Sequence, residues 1–439
     1  MRNAGNTTPR HSTSTPISRR AFLHGTAGAA AIAAVSVAAS LAGCSDPEPD
    51  ADFGTHDAIA NGPLSGIRDA DPLEVSANSV VTTDDCELLE DTEANVEMIR
   101  RVSLPYGTMI WSSDDKVAAC LLPSESSSPL ASIGLLPLQN GDVQTVIETA
   151  VGSDEGFEIY DVRANSAGIV WAEADILSGR WRVYSAALRD GSTLSGAPAL
   201  QDEGNSAWHV PSLAVSGSYA IWKTSPKEES DADGMPGKIM RARFGADGSD
   251  ADYLIETDML TPHGIAAAAE GVVLSVTVDS AKGSHGLVAL DADSGDVTET
   301  LVLPSPIDPT FFAYGDTGFA FAFEDIYDND GGIANLGTYT GIGDRSEEWF
   351  RFDRTPVEAP AWASGWFIVK SSSVVTGIDL SSRRYFAIEP ENATQGYGEY
   401  LATEGSGDLF VTYSNIDYSP INGDHIRECN VRVWQPKSI

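Results

Sequence analysis

Two histidines of this sequence, His209 and His263, each stand eight residues before a glycine that opens a run of aliphatic and aromatic residues. The same count from the other glycines of this kind gives Ile99, Tyr160, Thr310, Val357 and Glu399, with Glu158, Asp308 and Glu358 close by. Imidazole and carboxylate are the groups that a divalent metal ion takes, or that act as an acid/base pair on a bound substrate. Tyr160, His209, His263, Thr310 and Glu399 are therefore the candidate ligand-binding set, and His209, His263 and Glu399 the candidate metal ligands. The competing reading is structural. Trp208 beside His209 and Pro262 beside His263 have the character of packing and turn residues. Two acidic stretches, Glu228 to Asp233 and Asp325 to Asp330, invite a calcium reading, but neither has the ligand spacing of an EF-hand loop. No serine-nucleophile elbow, zinc helix, phosphate-binding glycine loop or haem motif occurs, so no catalytic residue is assigned.

The elements that would position these residues are strands. The glycines in question are Gly107, Gly168, Gly217, Gly271, Gly318, Gly365 and Gly407, spaced 61, 49, 54, 47, 47 and 42 residues apart. Self-similarity at such a period marks stacked repeats or propeller blades. A second run such as Trp181–Tyr184 or Asn430–Trp434 follows most of them, several alternating polar and apolar residues as half-buried strands do. No long amphipathic helical pattern is present.

On these residues, the chain from about position 100 to its end resembles a TolB-like or WD-repeat-like β-propeller. The resemblance implies an all-β fold of four-stranded antiparallel blades, seven in number with six as the alternative, the glycine runs forming second strands. The Trp-Asp dipeptide of the WD type is missing. Counting back from the glycines then falls on the loops that line one mouth of the axial channel. Trp111, Trp171 and Trp222, which recur at the end of the run, read as core between blades; a row of rim aromatics for a carbohydrate is the rival reading. A closed propeller needs its ends joined. Because Cys86 follows the β-like pair Val80-Val81 and Cys429 precedes the last strand, a Cys86–Cys429 disulfide is expected to staple the closure, with three independent thiols, Cys120 included, as the alternative.

The first 43 residues read as an address. They hold Arg2, Arg10, Arg19 and Arg20, no acidic residue, and an Ala/Gly-rich apolar stretch. Ser18-Arg19-Arg20-Ala21-Phe22-Leu23 resembles a twin-arginine export signal, and Leu41-Ala42-Gly43-Cys44 resembles a bacterial lipobox whose cysteine receives the lipid. An uncleaved membrane anchor is the alternative. Residues 44–78, rich in Asp, Pro, Gly and Ser, are expected to be a flexible acidic tether, and 79–439 the propeller.

The chain of 439 residues has 27 Lys+Arg against 64 Asp+Glu. Without residues 1–43 it keeps 23 of the basic and all 64 acidic residues, a net charge of −41. That charge excludes nucleic acid as a partner and gives no electrostatic help at an anionic bilayer, so a lipid on Cys44 would have to supply the attachment. The expectation is a lipid-anchored, extracytoplasmic propeller that binds a protein partner or a small ligand at the cell envelope. The alternative is a propeller-type lyase, hydrolase or oxidoreductase with a divalent metal at the axial mouth.

Overall fold

A computed structural model describes residues 64–74, 80–90, 92–124, 129–227, 234–315, 318–323, 338–341, 349–352, 358–371, 373–390, 398–420 and 423–437. Arg19, Arg20, Cys44, Val357 and both acidic stretches read as calcium candidates lie outside the described residues, apart from the flanking Gly234. Within the described chain, antiparallel meanders follow one another at 109–147, 158–204, 212–260, 266–302, 309–352, 361–388 and 400–436. They are seven blades, numbered here in that order, and the chain is an all-β propeller. Blades 3 and 4 share one hydrogen-bonded sheet through Leu260 opposite Val276.

The core lies between blades, where a sheet that is apolar on both faces must bury each face against its neighbour. Ile221 and Val272 meet between blades 3 and 4, and Val273, Leu287 and Phe321 between blades 4 and 5. Phe350 meets Trp362 and Phe367 between blades 5 and 6, while Phe386 stacks on Phe410 between blades 6 and 7. Ile110 and Leu136 of blade 1 pack on Val411 and Val431 of blade 7, which closes the ring. Trp111, Trp171 and Trp222 are all buried as expected of core residues.

At three of the recurring glycines the reason is conformational. Gly217, Gly318 and Gly365 take φ of +52°, +103° and +81° in the tight turn between the first and second strands, where a side chain would be strained. Blade 1 departs from this rule. Its glycine run, Met109–Ser112, is the innermost strand, and its second strand is Val117–Pro123. Asp114 replaces the turn glycine, its Oδ1 accepting from the N–H groups of Lys116 and Val117 at 2.9 Å each. The long first interval of 61 residues thus comes from counting one strand too early. Ile99 accordingly sits not at an entrance but on the outermost strand of blade 7.

Closure is made by the chain's N-terminal side, which runs around the outside of successive blades. Leu64 and Ile67 are buried in the core of blades 3 and 4, and the Leu73 N–H donates to Val302 O, so the end of the expected tether is packed rather than loose. Val80–Thr82 then pairs in parallel with blade 5 and Glu87–Leu88 with blade 6. Val96–Pro105 finishes as the fourth strand of blade 7, antiparallel to Ile426–Pro436. The expected disulfide is absent. Cys86, Cys120 and Cys429 are free, Cys86 lying against the seam of blades 5 and 6 and Cys429 in the seam of blades 7 and 1. A hydrogen-bonded strand already does the stapling that was assigned to the bond.

Candidate functional site

In blades 1 to 6 the first strand turns directly into the second, so the start of the first and the end of the second lie together at the opposite edge. Register shows this in Glu158 opposite Ala174, Ser212 opposite Lys223 and Pro309 opposite Phe323. The loop arriving from the preceding blade enters at that edge, here called the entrance. Tyr160, His209, His263, Thr310, Glu358 and Glu399 all stand at or just before a first strand. The sequence count therefore found equivalent positions on blades 2 to 5 and 7, Val357 of blade 6 lying outside the described residues.

Equivalent positions do not make one site. Glu399 is fully buried, accepting at Oε1 from Arg432 at 2.8 and 3.1 Å, and burial pushes its carboxyl above the usual range although Arg432 opposes this. The Glu358 carboxylate accepts from the Leu401 N–H at 3.0 Å. His263 Nε2 lies 2.8 Å from Asp308 Oδ1; burial raises the Asp308 pKa, but the His263 contact and the nearby His285 outweigh it and hold the carboxyl below its ordinary value. Thr310 Oγ1 donates to Ala322 O at 3.2 Å within blade 5. The Tyr160 phenol, half-buried, is pushed up to about 12 by burial and then by Asp161. Among the described residues no group of three or more His, Cys, Asp or Glu side chains could hold a metal ion. The proposed metal set fails because Glu399 is committed to Arg432 and His263 to Asp308.

The axis itself is crossed by backbone. After Leu401 the chain of blade 7 leaves its own second strand. The Glu404 N–H donates to Ser112 O of blade 1, and Gly405–Gly407 pairs in parallel with Ala361–Ala363 of blade 6. At Gly405, φ +78°, a Cβ would meet the backbone of Ala267 and Ala268 in blade 4 at 3.6 Å. Glu404 also accepts from Arg163 Nε of blade 2 at 3.0 Å, and Arg163 bonds Asp161 at 2.5 Å and covers the Trp111 ring at 4.6 Å. These charges serve one another across the centre.

One group at the entrance stands apart, and the histidine count missed it. Lys223, at the end of blade 3's second strand, is only 6 % exposed, and its ammonium donates to the carbonyl oxygens of Thr261 and His263. An ammonium has three donors. Among the described residues Lys223 has no carboxylate partner, and burial lowers its pKa to about 7. The segment facing it is fixed by backbone bonds. His209 N–H donates to Ser225 O at 3.0 Å and Lys227 N–H to Ala207 O at 2.8 Å. The His209 ring is half-buried, with its pKa lowered by burial and then by Lys223 and Lys227. No sequence signal marks it, since Glu228, Glu229, Asp231 and Asp233 follow within a few residues of Lys227.

No family model matches the sequence, and no curated protein matches it. Similar solved structures include one from a study of two prolyl endopeptidases, with a TM-score of 0.44, 12 % identity, and coverage of 71 % of this chain and 46 % of that one. Others are an oligogalacturonate lyase in complex with manganese, at 0.41 and 6 % identity over 77 % and 90 %, and BamB from Moraxella catarrhalis, at 0.34 and 13 % over 77 % and 99 %. This chain thus spans less than half the length of the first. At these scores none of them bears on what the chain does, and the propeller assignment rests on the strand pairing.

Proposed function

We propose that this protein is a binding module that presents the entrance face of its propeller to a protein partner or small ligand at the cell envelope, held there by a lipid on Cys44. The observation that carries the reading is an apolar rim at the entrance of blade 2. Ile176 and Leu177 form the hairpin tip beyond the second strand, Leu177 being 99 % exposed. Val151 and Leu130, also exposed, are tied to the same edge through Glu173 and Glu158, at 2.6 and 2.9 Å. Grouped exposed aliphatics of this kind are what interaction surfaces display. Arg163, Asp161 and Glu404 nearer the axis are paired with one another, which favours binding over chemistry.

A photo-crosslinking residue at Leu177, compared in cells with one at Tyr253 on the outer strand of blade 3, tests the reading. A discrete adduct from position 177 alone is expected. Equal labelling from both positions, or none, together with about one tightly bound metal per purified chain, would favour the enzyme alternative. Replacing Cys44 by Ser is expected to move the protein out of the membrane fraction.

A further inference from the structure

Lys223 poses a specific problem of charge. Lysine is almost never buried without a counter-charge, because desolvating an ammonium is costly. Here two of its three donors reach carbonyl oxygens of Thr261 and His263, and the third has no acceptor among the described residues. The His209 ring, brought alongside by the His209–Ser225 and Lys227–Ala207 backbone bonds, likewise has no hydrogen-bond partner there. The remaining charged groups nearby are Lys227, which is exposed, and Asp308, which is engaged by His263. Among the described residues a buried cation and an imidazole are thus left facing no anion, in a chain whose acidic residues outnumber its basic ones more than twofold.

We infer that Lys223 and His209 together bind the carboxylate of a small monocarboxylic acid that carries an apolar body. Two donors match the two oxygens of one carboxylate. A phosphate would bring a second negative charge into an acidic field and further oxygens with no donors to meet them. Trp208 and Val210, half-buried against the core of blades 2 and 3, supply the apolar wall beside His209. The inference deepens the binding reading by naming a ligand class, and it rests on that reading.

The test uses the exported chain with benzoate as probe and inorganic phosphate as comparator, followed by calorimetry and by the ring resonances of the histidines. Benzoate is expected to bind and to shift His209, phosphate to bind at least tenfold more weakly, and Lys223→Met and His209→Ala each to weaken benzoate at least tenfold. At pH 8 binding is expected to take up protons as the ammonium is restored, seen as a dependence of the heat on buffer. No benzoate binding at millimolar concentration, an unshifted His209, or undiminished binding by a folded Lys223→Met chain overturns the inference. The His209 shift is read on the unaltered protein, so the test stays decisive even where a variant fails to fold. If benzoate fails while Leu177 still crosslinks a partner, only the carboxylate assignment falls; the reverse result removes only the partner surface.

Discussion

The entrances of blades 4 and 7 hold the same device with opposite charge economy. In each, a buried lysine at the end of the preceding blade's second strand donates to the carbonyl of the residue eight before the next glycine: Lys223 to His263 O, Lys370 to Glu399 O. At blade 7 the lysine lies 4.6 Å from the Tyr400 ring centroid, and the entrance also holds the buried Glu358 and Glu399 and the Arg432 that pairs with Glu399. At blade 4 the carbonyls are present and, among the described residues, the anion is not. One position with two surroundings shows that a repeated backbone fixes where a cation goes, while neighbouring side chains decide whether a carboxylate stands beside it.

The largest contrast should come from breaking the neutral cluster. Arg432→Met leaves Glu399 buried without its partner and is expected to cost about 3–5 kcal/mol, read as a lower denaturation midpoint. A loss under about 1 kcal/mol would mean that Glu399 is neutral in the folded protein, as its raised pKa allows.

Lys223→Met should act in the opposite direction. A pKa lowered to about 7 means that the folded state sheds a proton which the unfolded chain keeps up to its ordinary 10.5. Stability of the unaltered protein therefore rises with pH between these values, by about 1.4 kcal/mol per unit, and is lowest below pH 7. Lys223→Met should remove that rise. It should be more stable than the parent at pH 6 by about 2 kcal/mol, the desolvation penalty being partly offset by two carbonyls left without a donor, and should lose the advantage by pH 9. His209, His263, Lys227 and Asp308 titrate or carry charge nearby, so the variant minus parent difference is the quantity to follow. A flat difference would mean that Lys223 already has an anion in the folded chain.

The smallest effect concerns the thiols. Cys86→Ser should change stability by less than about 0.5 kcal/mol, because Cys86 closes no loop. Alkylation of the folded protein followed by mass analysis should modify Cys86 first. Cys120, its pKa pushed up to about 12 by burial, and Cys429, raised likewise, should react only on unfolding. Recovery of a Cys86–Cys429 peptide would restore the disulfide.

Much of the architecture was legible because propeller repeats write themselves into local sequence. A turn that demands positive φ selects glycine at Gly217, Gly318 and Gly365, and a strand buried on both faces selects the apolar run after it. Blade 1 escaped the pattern because Asp114 performs the same turn by side-chain hydrogen bonding, which no glycine count can see. The candidate site was legible only as a set of equivalent positions. Whether His263 met Glu399 or Asp308 depended on which blade each entered, and Lys223 drew no notice because a lysine after Trp222 looks like an ordinary strand end.

Sequence alone therefore determined the strands, their period and the acidity of the body, since each follows from residue types within a few positions of one another. Tertiary structure decided the rest. It routed Val80–Thr82, Glu87–Leu88 and Val96–Pro105 around blades 5, 6 and 7 and sent Thr403–Gly407 across the axis. It also gave Glu399 an arginine and Lys223 no anion among the described residues. These outcomes join residues from tens to hundreds of positions apart, and their energies come from burial and pairing that exist only once the ring has closed.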